Sequence, residues 1–199
     1  MPENAPSAKQ EEGTTVAQPE LRTERLYLRQ FRLEDADTVQ TLLQCREIAA
    51  NTRSIDHPYQ PGSAKLWIER LFTSWETGES AVFAICFPDE RVVGAIGLEI
   101  KPEDENAEIG FWIGQPYWGK GICSEAAAAV VQFGFKVLGL NKIFAHHLSR
   151  NPASGRVMQK IGMRKEGYFE GHTKKWGVFE DIVVYGLLAK NASDAGTNL

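Results

Sequence analysis

Cysteine is scarce in this chain of 199 residues: there are three, Cys45, Cys86 and Cys123. Their odd number and unpaired spacing exclude a disulfide framework and fit a reducing compartment, read here as the cytoplasm. No apolar run reaches the roughly 20 residues that a membrane span needs, so no membrane partner is expected. The opening MPENAPSAKQEEGTTVAQPE has no apolar core segment, so no secretory leader is expected. Basic residues are not in excess: 22 Lys and Arg face 26 Asp and Glu, a net charge of −4. That balance argues against a nucleic-acid partner. Only four histidines are present, and the adjacent His146 and His147 would face opposite sides of a strand, so no metal-ligand set is read. The phosphate-loop pattern GxxxxGK[ST] is absent, as are internal repeats and interdomain linkers.

What is present fits one domain. Hydrophobic residues make up 43% and charged residues 24%, enough for a sizeable core. Residues 1–20 are polar and predict a disordered tail, and residues 191–199 predict a flexible one, which leaves a single domain over 21–190. Leu26 and Leu28, alternating with Arg25, Tyr27 and Arg29, predict a first strand. A short helix follows from Glu34 or Asp35, and residues 46–60 read as turn. Ala64, Trp67, Ile68, Leu71, Phe72 and Trp75 recur at helical spacing and predict an amphipathic helix that ends at Gly78. Trp67 and Trp75 are read as core, with Trp67 a candidate wall for a substrate pocket. Residues 81–87, 92–100 and 107–113 predict three strands joined by short turns, hence an antiparallel meander. Residues 125–138 predict a buried helix and 142–148 a strand. Asn151-Pro152 opens another helix, with Asn as cap and Pro at its first position, and Gly162 ends it. Strands over 164–172 and 180–188 close a mixed α/β domain.

The stretch 106–124, NAEIGFWIGQPYWGKGICS, carries the chemistry. An alternating strand runs into a loop with Gly114, Pro116, Gly119 and Gly121, and a helix follows. Converging backbone N–H groups and a helix N-terminus make such a turn an anion cradle. The plainer alternative is a loop that needs two glycines for its backbone angles. A dinucleotide fingerprint is disfavoured, because the loop follows an antiparallel meander and Asn141 stands about 20 positions on, where an acidic residue belongs.

The ordered series of motifs resembles the GNAT acetyltransferase superfamily. That family's loop reads Gln/Arg-x-x-Gly-x-Gly/Ala, and the matching positions here are Trp118, Gly121 and Cys123. Trp118 and Cys123 depart from the pattern. The string from Tyr117 to Ala126, YWGKGICSEA, is similar to the Rim-type branch, which acetylates ribosomal-protein N-termini and other amines. LRTERL from Leu21 and His57-Pro58-Tyr59 resemble that branch as well. Asn151-Pro152-Ala153-Ser154, with Lys160-Ile161-Gly162-Met163 behind it, resembles the second cofactor motif. The resemblance implies a GNAT-like acyl-CoA N-acyltransferase fold, a mostly antiparallel mixed sheet flanked by helices, with acetyl-CoA as co-substrate and no metal. It implies that Phe111, Trp112 and Ile113 hold the pantetheine arm through backbone groups. The loop of Trp118, Gly119, Lys120, Gly121, Ile122, Cys123 and Ser124 then takes the pyrophosphate.

Glu108 is the candidate base, with a solvated strand carboxylate as the alternative. Asn151 is read as helix cap and as a polar contact to pantetheine. Ser154 is the candidate acid for the leaving sulfur, with a solvent-facing serine as the alternative. The position where many GNAT enzymes carry a tyrosine acid is Met158, which adds weight to Ser154. Cys123 is read as a structural thiol, because family members transfer directly. Tyr168 and His172 are candidate pocket groups. The implied function is direct acetyl transfer to a primary amine, foremost a protein or peptide N-terminus. The alternatives are a small-molecule amine as acceptor, or a non-catalytic acyl-CoA sensor. Dimers are common in the Rim-type branch, and no feature here demands one.

Overall fold

Strand alternation builds the sheet, and the sheet sorts the core into two layers. The computed structural model describes residues 17–192. Eight strands lie in the order β1-β2-β3-β4-β5-β6-β8-β7. They are β1 (Leu21–Arg22), β2 (Tyr27–Arg29), β3 (Ser80–Cys86), β4 (Val92–Lys101), β5 (Asn106–Ile113), β6 (Lys142–Leu148), β7 (Arg164–Lys175) and β8 (Val178–Leu188). Every neighbouring pair is antiparallel except β5 and β6, which run parallel. Strand β3 explains its own unbroken apolar sequence. Ala81, Phe83 and Ile85 face one core layer, while Ala84 and Cys86 face the other.

The first layer lies under α4 (Ile122–Lys136) and α5 (Pro152–Lys160). Phe83 meets Phe133 of α4 edge to face at 5.4 Å, a contact whose loss to alanine costs about 3–5 kcal/mol. The second layer lies under α1 (Ala36–Leu43), α2 (Arg46–Asn51) and α3 (Ser63–Glu76). A buried pair sets its entry: Arg29 at the end of β2 donates to Asp35 through Nη1 at 2.7 Å and Nη2 at 2.9 Å. Asp35 also accepts the Arg32 N–H, which fixes the turn into α1. A four-residue helix, α6 (Ala189–Ala192), ends the described chain.

Several boundaries differ from the sequence expectation. The first strand is two short strands, β1 and β2, around the turn at 23–26. Residues 46–51, expected as turn, form α2. Helix α4 starts at Ile122, because the loop glycine Gly121 is itself the N-cap. Within the expected tails, Gln18 is buried and donates to Val82 O, and Ala192 packs on the core. The remainder of both expected tails, 1–16 and 193–199, lies outside the described residues.

Candidate functional site

A fork in the sheet creates the site. Strand β5 pairs with β6 only over residues 106–108, whereas its antiparallel ladder with β4 continues to Ile113. Beyond Glu108 the β6 side of β5 is therefore open. Gly114 N–H donates to Val93 O at 2.8 Å, so residues 114, 112 and 110 address β4. By the two-residue alternation, Ile109, Phe111 and Ile113 turn their N–H and C=O groups into the fork. An extended, amide-bearing chain can pair with that edge as an added strand would.

The cradle sits at the mouth of the fork. Gly119 and Gly121 both adopt left-handed backbone, at φ 74° and 77°, a conformation that costs other residues about 1–2 kcal/mol. They turn the chain sharply into α4. The first bond of that helix runs from Glu125 N–H to Gly121 O at 3.1 Å. The N–H groups of Ile122, Cys123 and Ser124 are thus left without helical acceptors, at the positive end of a fifteen-residue helix. These residues line a cleft of about 450 Å³ with Phe111, Ile113 and Asn151. Lys120 borders it and is held by Pro116 O at 2.9 Å. Orphaned donors beside an open strand edge fit a cofactor that joins an extended amide arm to a phosphate group.

A brace holds the cradle in place. Glu125 accepts the Thr23 hydroxyl at 2.5 Å, the Arg25 N–H at 2.9 Å and Arg25 Nε at 2.7 Å. Arg25 also donates to Lys120 O at 3.1 Å, inside the loop. Burial pushes the Glu125 carboxyl up, but these donors outweigh it and hold the group below its usual value. The turn between β1 and β2 therefore clamps both the loop and the first turn of α4.

On the other side of β5 a second cleft of about 380 Å³ is walled by Leu43, Tyr59, Trp67, Val82 and Trp112. Glu108 and Glu99 are cross-strand partners on β5 and β4, and both line this cleft. Glu108 Oε1 lies 2.8 Å from His146 Nδ1 of β6. Burial raises the Glu108 carboxyl, yet the His146 hydrogen bond and the charges of His146, Arg53 and Lys101 bring it below its usual value. Phe111, Trp112, Asn51, Thr52 and Ser154 border both clefts, so the clefts meet at the fork.

Ser154 stands at that junction. Asn151 caps α5 by accepting the Ser154 N–H at 3.4 Å, and its amide donates to Ser154 Oγ at 3.0 Å. With Oγ accepting, the serine hydroxyl proton is free to donate into the fork. The second Asn151 donor goes to Asn51 O at 3.2 Å, and Arg150 reaches Ala50 O at 2.7 Å. Lys175, at the tip of the β7–β8 hairpin, donates to Ile55 O at 2.6 Å. Three side chains from the far half of the molecule thus fasten the 50–55 segment over the junction.

The structure brings together Glu108, Ser154, Asn151 and the loop residues, and it adds His146, Glu99, Thr23 and Arg25 to them. His147 points away: Gly155 packs against its ring, and burial holds its pKa down. Cys123 borders the cofactor cleft, but burial pushes its thiol up to about 12, which leaves it un-ionised and a poor nucleophile. Trp118 turns its indole inward and donates to Ile113 O at 2.6 Å. Tyr168 and His172 border neither cleft; Tyr168 bonds Asp181, and His172 stacks on Phe169. Among the described residues no group of three or more potential ligands could hold a metal ion, and no helix is long and apolar enough to cross a membrane.

A family model described as "Acetyltransferase (GNAT) domain" matches residues 25–164. An uncharacterized N-acetyltransferase, p20, of Bacillus licheniformis is 31% identical over 172 residues, 85% of this chain and 96% of that one. The [ribosomal protein uS5]-alanine N-acetyltransferase of Escherichia coli is 27% identical over 139 residues, 68% of this chain and 71% of that one. Among solved structures, a GNAT-family acetyltransferase from Bacillus anthracis superposes with a TM-score of 0.78 at 26% identity, covering 86% of this chain and 99% of that one. RimL, a ribosomal L7/L12 α-N-protein acetyltransferase solved with coenzyme A, shares the fold at a TM-score of 0.79 and 16% identity, covering 85% and 98%.

Proposed function

The chain belongs to the GNAT acetyltransferases, and from that premise we propose that it moves the acetyl group of acetyl-CoA directly to the α-amino group of a protein or peptide. The carrying observation is the fork in the sheet. One cleft offers main-chain donors and an open strand edge, the other offers a carboxylate pair among aromatic walls, and Ser154 borders both. Both clefts are built by a single chain.

Each side chain has a distinct task in this reading. Residues 111–113 hold the pantetheine arm of acetyl-CoA through their main chain. The loop at Gly119, Lys120 and Gly121, with the N–H groups of Ile122, Cys123 and Ser124, takes the pyrophosphate. Bound there, acetyl-CoA supplies an activated thioester. Glu99 and Glu108 attract the acceptor ammonium, and the Glu108–His146 pair removes its proton. Main-chain N–H groups at the fork polarise the thioester oxygen as it gains charge. The Ser154 hydroxyl protonates the departing sulfur, with Asn151 holding it in place.

The acceptor class follows from the cleft's balance of charge and apolar wall. Two carboxylates among Leu43, Tyr59, Trp67 and Trp112 suit one ammonium on an otherwise extended, partly apolar chain. Arg53 on the same cleft disfavours a polycation such as a polyamine. The uS5-alanine acetyltransferase among the relatives points the same way. A soluble cytoplasmic enzyme that meets newly made protein N-termini is the corresponding setting.

The test is release of free CoA thiol with acetyl-CoA and a panel of N-terminal peptides, polyamines and small amines. Peptides should turn over fastest and gain the acetyl group on the α-nitrogen. Faster turnover of polyamines or small amines would replace the acceptor class. Acetyl-CoA binding without turnover of any amine would favour a non-catalytic acyl-CoA sensor.

A further inference from the structure

We propose that the proton acceptor in this site is the His146 imidazole, acting through Nε2, and that Glu108 is its positioning residue. The inference rests on the acetyl-transfer reading and deepens it by assigning the proton to one atom.

Glu108 Oε1 and His146 Nδ1 are in contact at 2.8 Å. A hydrogen bond at that distance needs one proton between the two atoms. The surroundings of Glu108 favour its ionised form, so the proton belongs to Nδ1. A neutral imidazole with its proton on Nδ1 carries its lone pair on Nε2. That atom has no hydrogen-bond partner among the described residues. It is also not one of the buried atoms left without a partner, which are Arg29 Nε, His57 Nδ1 and Asn106 Oδ1. Nε2 is therefore reached by solvent, and His146 borders the acceptor cleft.

The backbone explains why both groups arrive there. Glu108 pairs in parallel register with Phe144, and His146 is two residues further along β6, so it projects from the same face as Phe144. Glu108 is the last β5 residue paired with β6. His146 is thus the first residue on that face beyond the point where the strands part. The imidazole stands in the throat of the fork, and the carboxylate stands behind it.

The chemistry favours the imidazole for this task. Carboxylates held below their ordinary range are weak bases toward an alkylammonium, whereas an imidazole titrates near neutrality. The acceptor ammonium gives one proton to Nε2, directly or through one water, and His146 returns it to solvent. The freed nitrogen forms a bond to the thioester carbon. The carbon–sulfur bond then breaks, and the second proton lost from that nitrogen ends on sulfur by way of the Ser154 hydroxyl. The products are an amide, a free thiol and one released proton. Glu108 of β5 is in contact with His146, and Glu99 of β4 with Arg53 and Tyr59 of the 52–59 loop line the same cleft; Lys101 of β4 acts on Glu108, His147 lies next in the strand with its ring packed on Gly155, and Val184 of β8 opposite His146 carries no charge. Glu108 is the one in contact, and it fixes the imidazole proton on Nδ1.

Two variants of the full chain test this, His146→Gln and Glu108→Gln, with kcat measured against pH at saturating peptide acceptor and acetyl-CoA affinity measured by calorimetry. His146→Gln should lower kcat by about 100-fold or more and abolish the acid limb, with acetyl-CoA affinity unchanged. Glu108→Gln should keep the acid limb and lower kcat by about tenfold with KM for the peptide changed less, because the imidazole loses the partner that fixes its proton on Nδ1. A merely structural carboxylate would not produce that split between kcat and KM. If His146→Gln stays within threefold of wild type with its acid limb intact, the inference is overturned. The same holds if Glu108→Gln abolishes the limb instead of keeping it. The Glu108 variant decides the matter on its own should the His146 variant not fold. Failure of the wild-type chain to acetylate any amine would overturn the reading beneath this inference and take the inference with it. A normal wild-type rate beside an unaltered His146 variant overturns the inference alone.

Discussion

The two clefts that meet at the fork are built from different materials. The side proposed for the cofactor is main chain: an open strand edge, two left-handed glycines and the first N–H groups of α4. The acceptor side is side chain: Glu108, His146 and Glu99 from three strands, with Trp67 from α3 and Tyr59 from a loop. Main-chain groups are present whatever residue carries them, so the first side tolerates substitution as long as the backbone path survives. Side chains act through their own chemistry, so the second side is tied to residue identity. That contrast accounts for the departures from the family pattern at Trp118 and Cys123, which both fall on the cofactor side.

Ser154 offers the sharpest test of the contrast, because it borders both clefts. Ser154→Ala removes only the hydroxyl proposed to protonate the departing sulfur. It should lower kcat by about 100-fold while acetyl-CoA affinity, measured by calorimetry, stays within threefold. Equal losses in affinity and rate would mean that this side chain belongs to the cofactor side and would blur the division.

Gly121→Val is the complementary change on the main-chain side. A β-branched residue at φ 77° costs about 1–2 kcal/mol, and the loop can avoid that strain only by moving. Acetyl-CoA affinity should fall about tenfold, with kcat at saturating acetyl-CoA changed less. An unaltered affinity would show that the cradle does not depend on this backbone turn.

Legibility in the sequence followed the same division. The glycine loop and the Asn151-Pro152 cap are local patterns, with all their parts within a few residues, and they were readable without a fold. Helix α2 was missed because it spans six residues under Cys45, a cap whose side chain bonds no helix N–H, and shows no extended period. His146 was missed because its partner sits on a parallel neighbour, and parallel register leaves no turn between the strands to read. The brace was missed for a related reason: Arg25 and Glu125 are 100 positions apart. LRTERL was recognisable as a resemblance, but its clamping of the loop is visible only in three dimensions.

That brace predicts a pH-dependent stability on the cofactor side. The Glu125 carboxyl is held below its usual value in the folded chain. The unfolded chain therefore binds this proton more readily. The stabilisation is complete above the unfolded carboxyl value, about 4.3, and is lost as pH falls through the lower folded value. Glu125→Gln should cost about 1 kcal/mol in denaturant unfolding at pH 7, and the gap to wild type should shrink below about pH 4. A gap that stayed constant down to pH 3 would mean that the carboxylate charge contributes nothing to the clamp.

The smallest expected effect is the most informative about the cofactor side. Trp118 stands where the family pattern places a polar side chain, and its indole N–H occupies Ile113 O at 2.6 Å. That carbonyl is one of the groups the open edge of β5 turns into the fork. Trp118→Phe keeps the ring and removes the donor, which leaves the carbonyl free for an amide of the pantetheine arm. If the main chain carries cofactor binding, acetyl-CoA affinity should stay within threefold of wild type, and any shift should be toward tighter binding, since one competing donor has gone. Intrinsic fluorescence of the wild-type chain should change on acetyl-CoA titration as the indole leaves Ile113, and that component should be missing in the variant. A loss of tenfold or more would place part of the binding in the Trp118 side chain, and the cofactor side would then be as dependent on residue identity as the acceptor side.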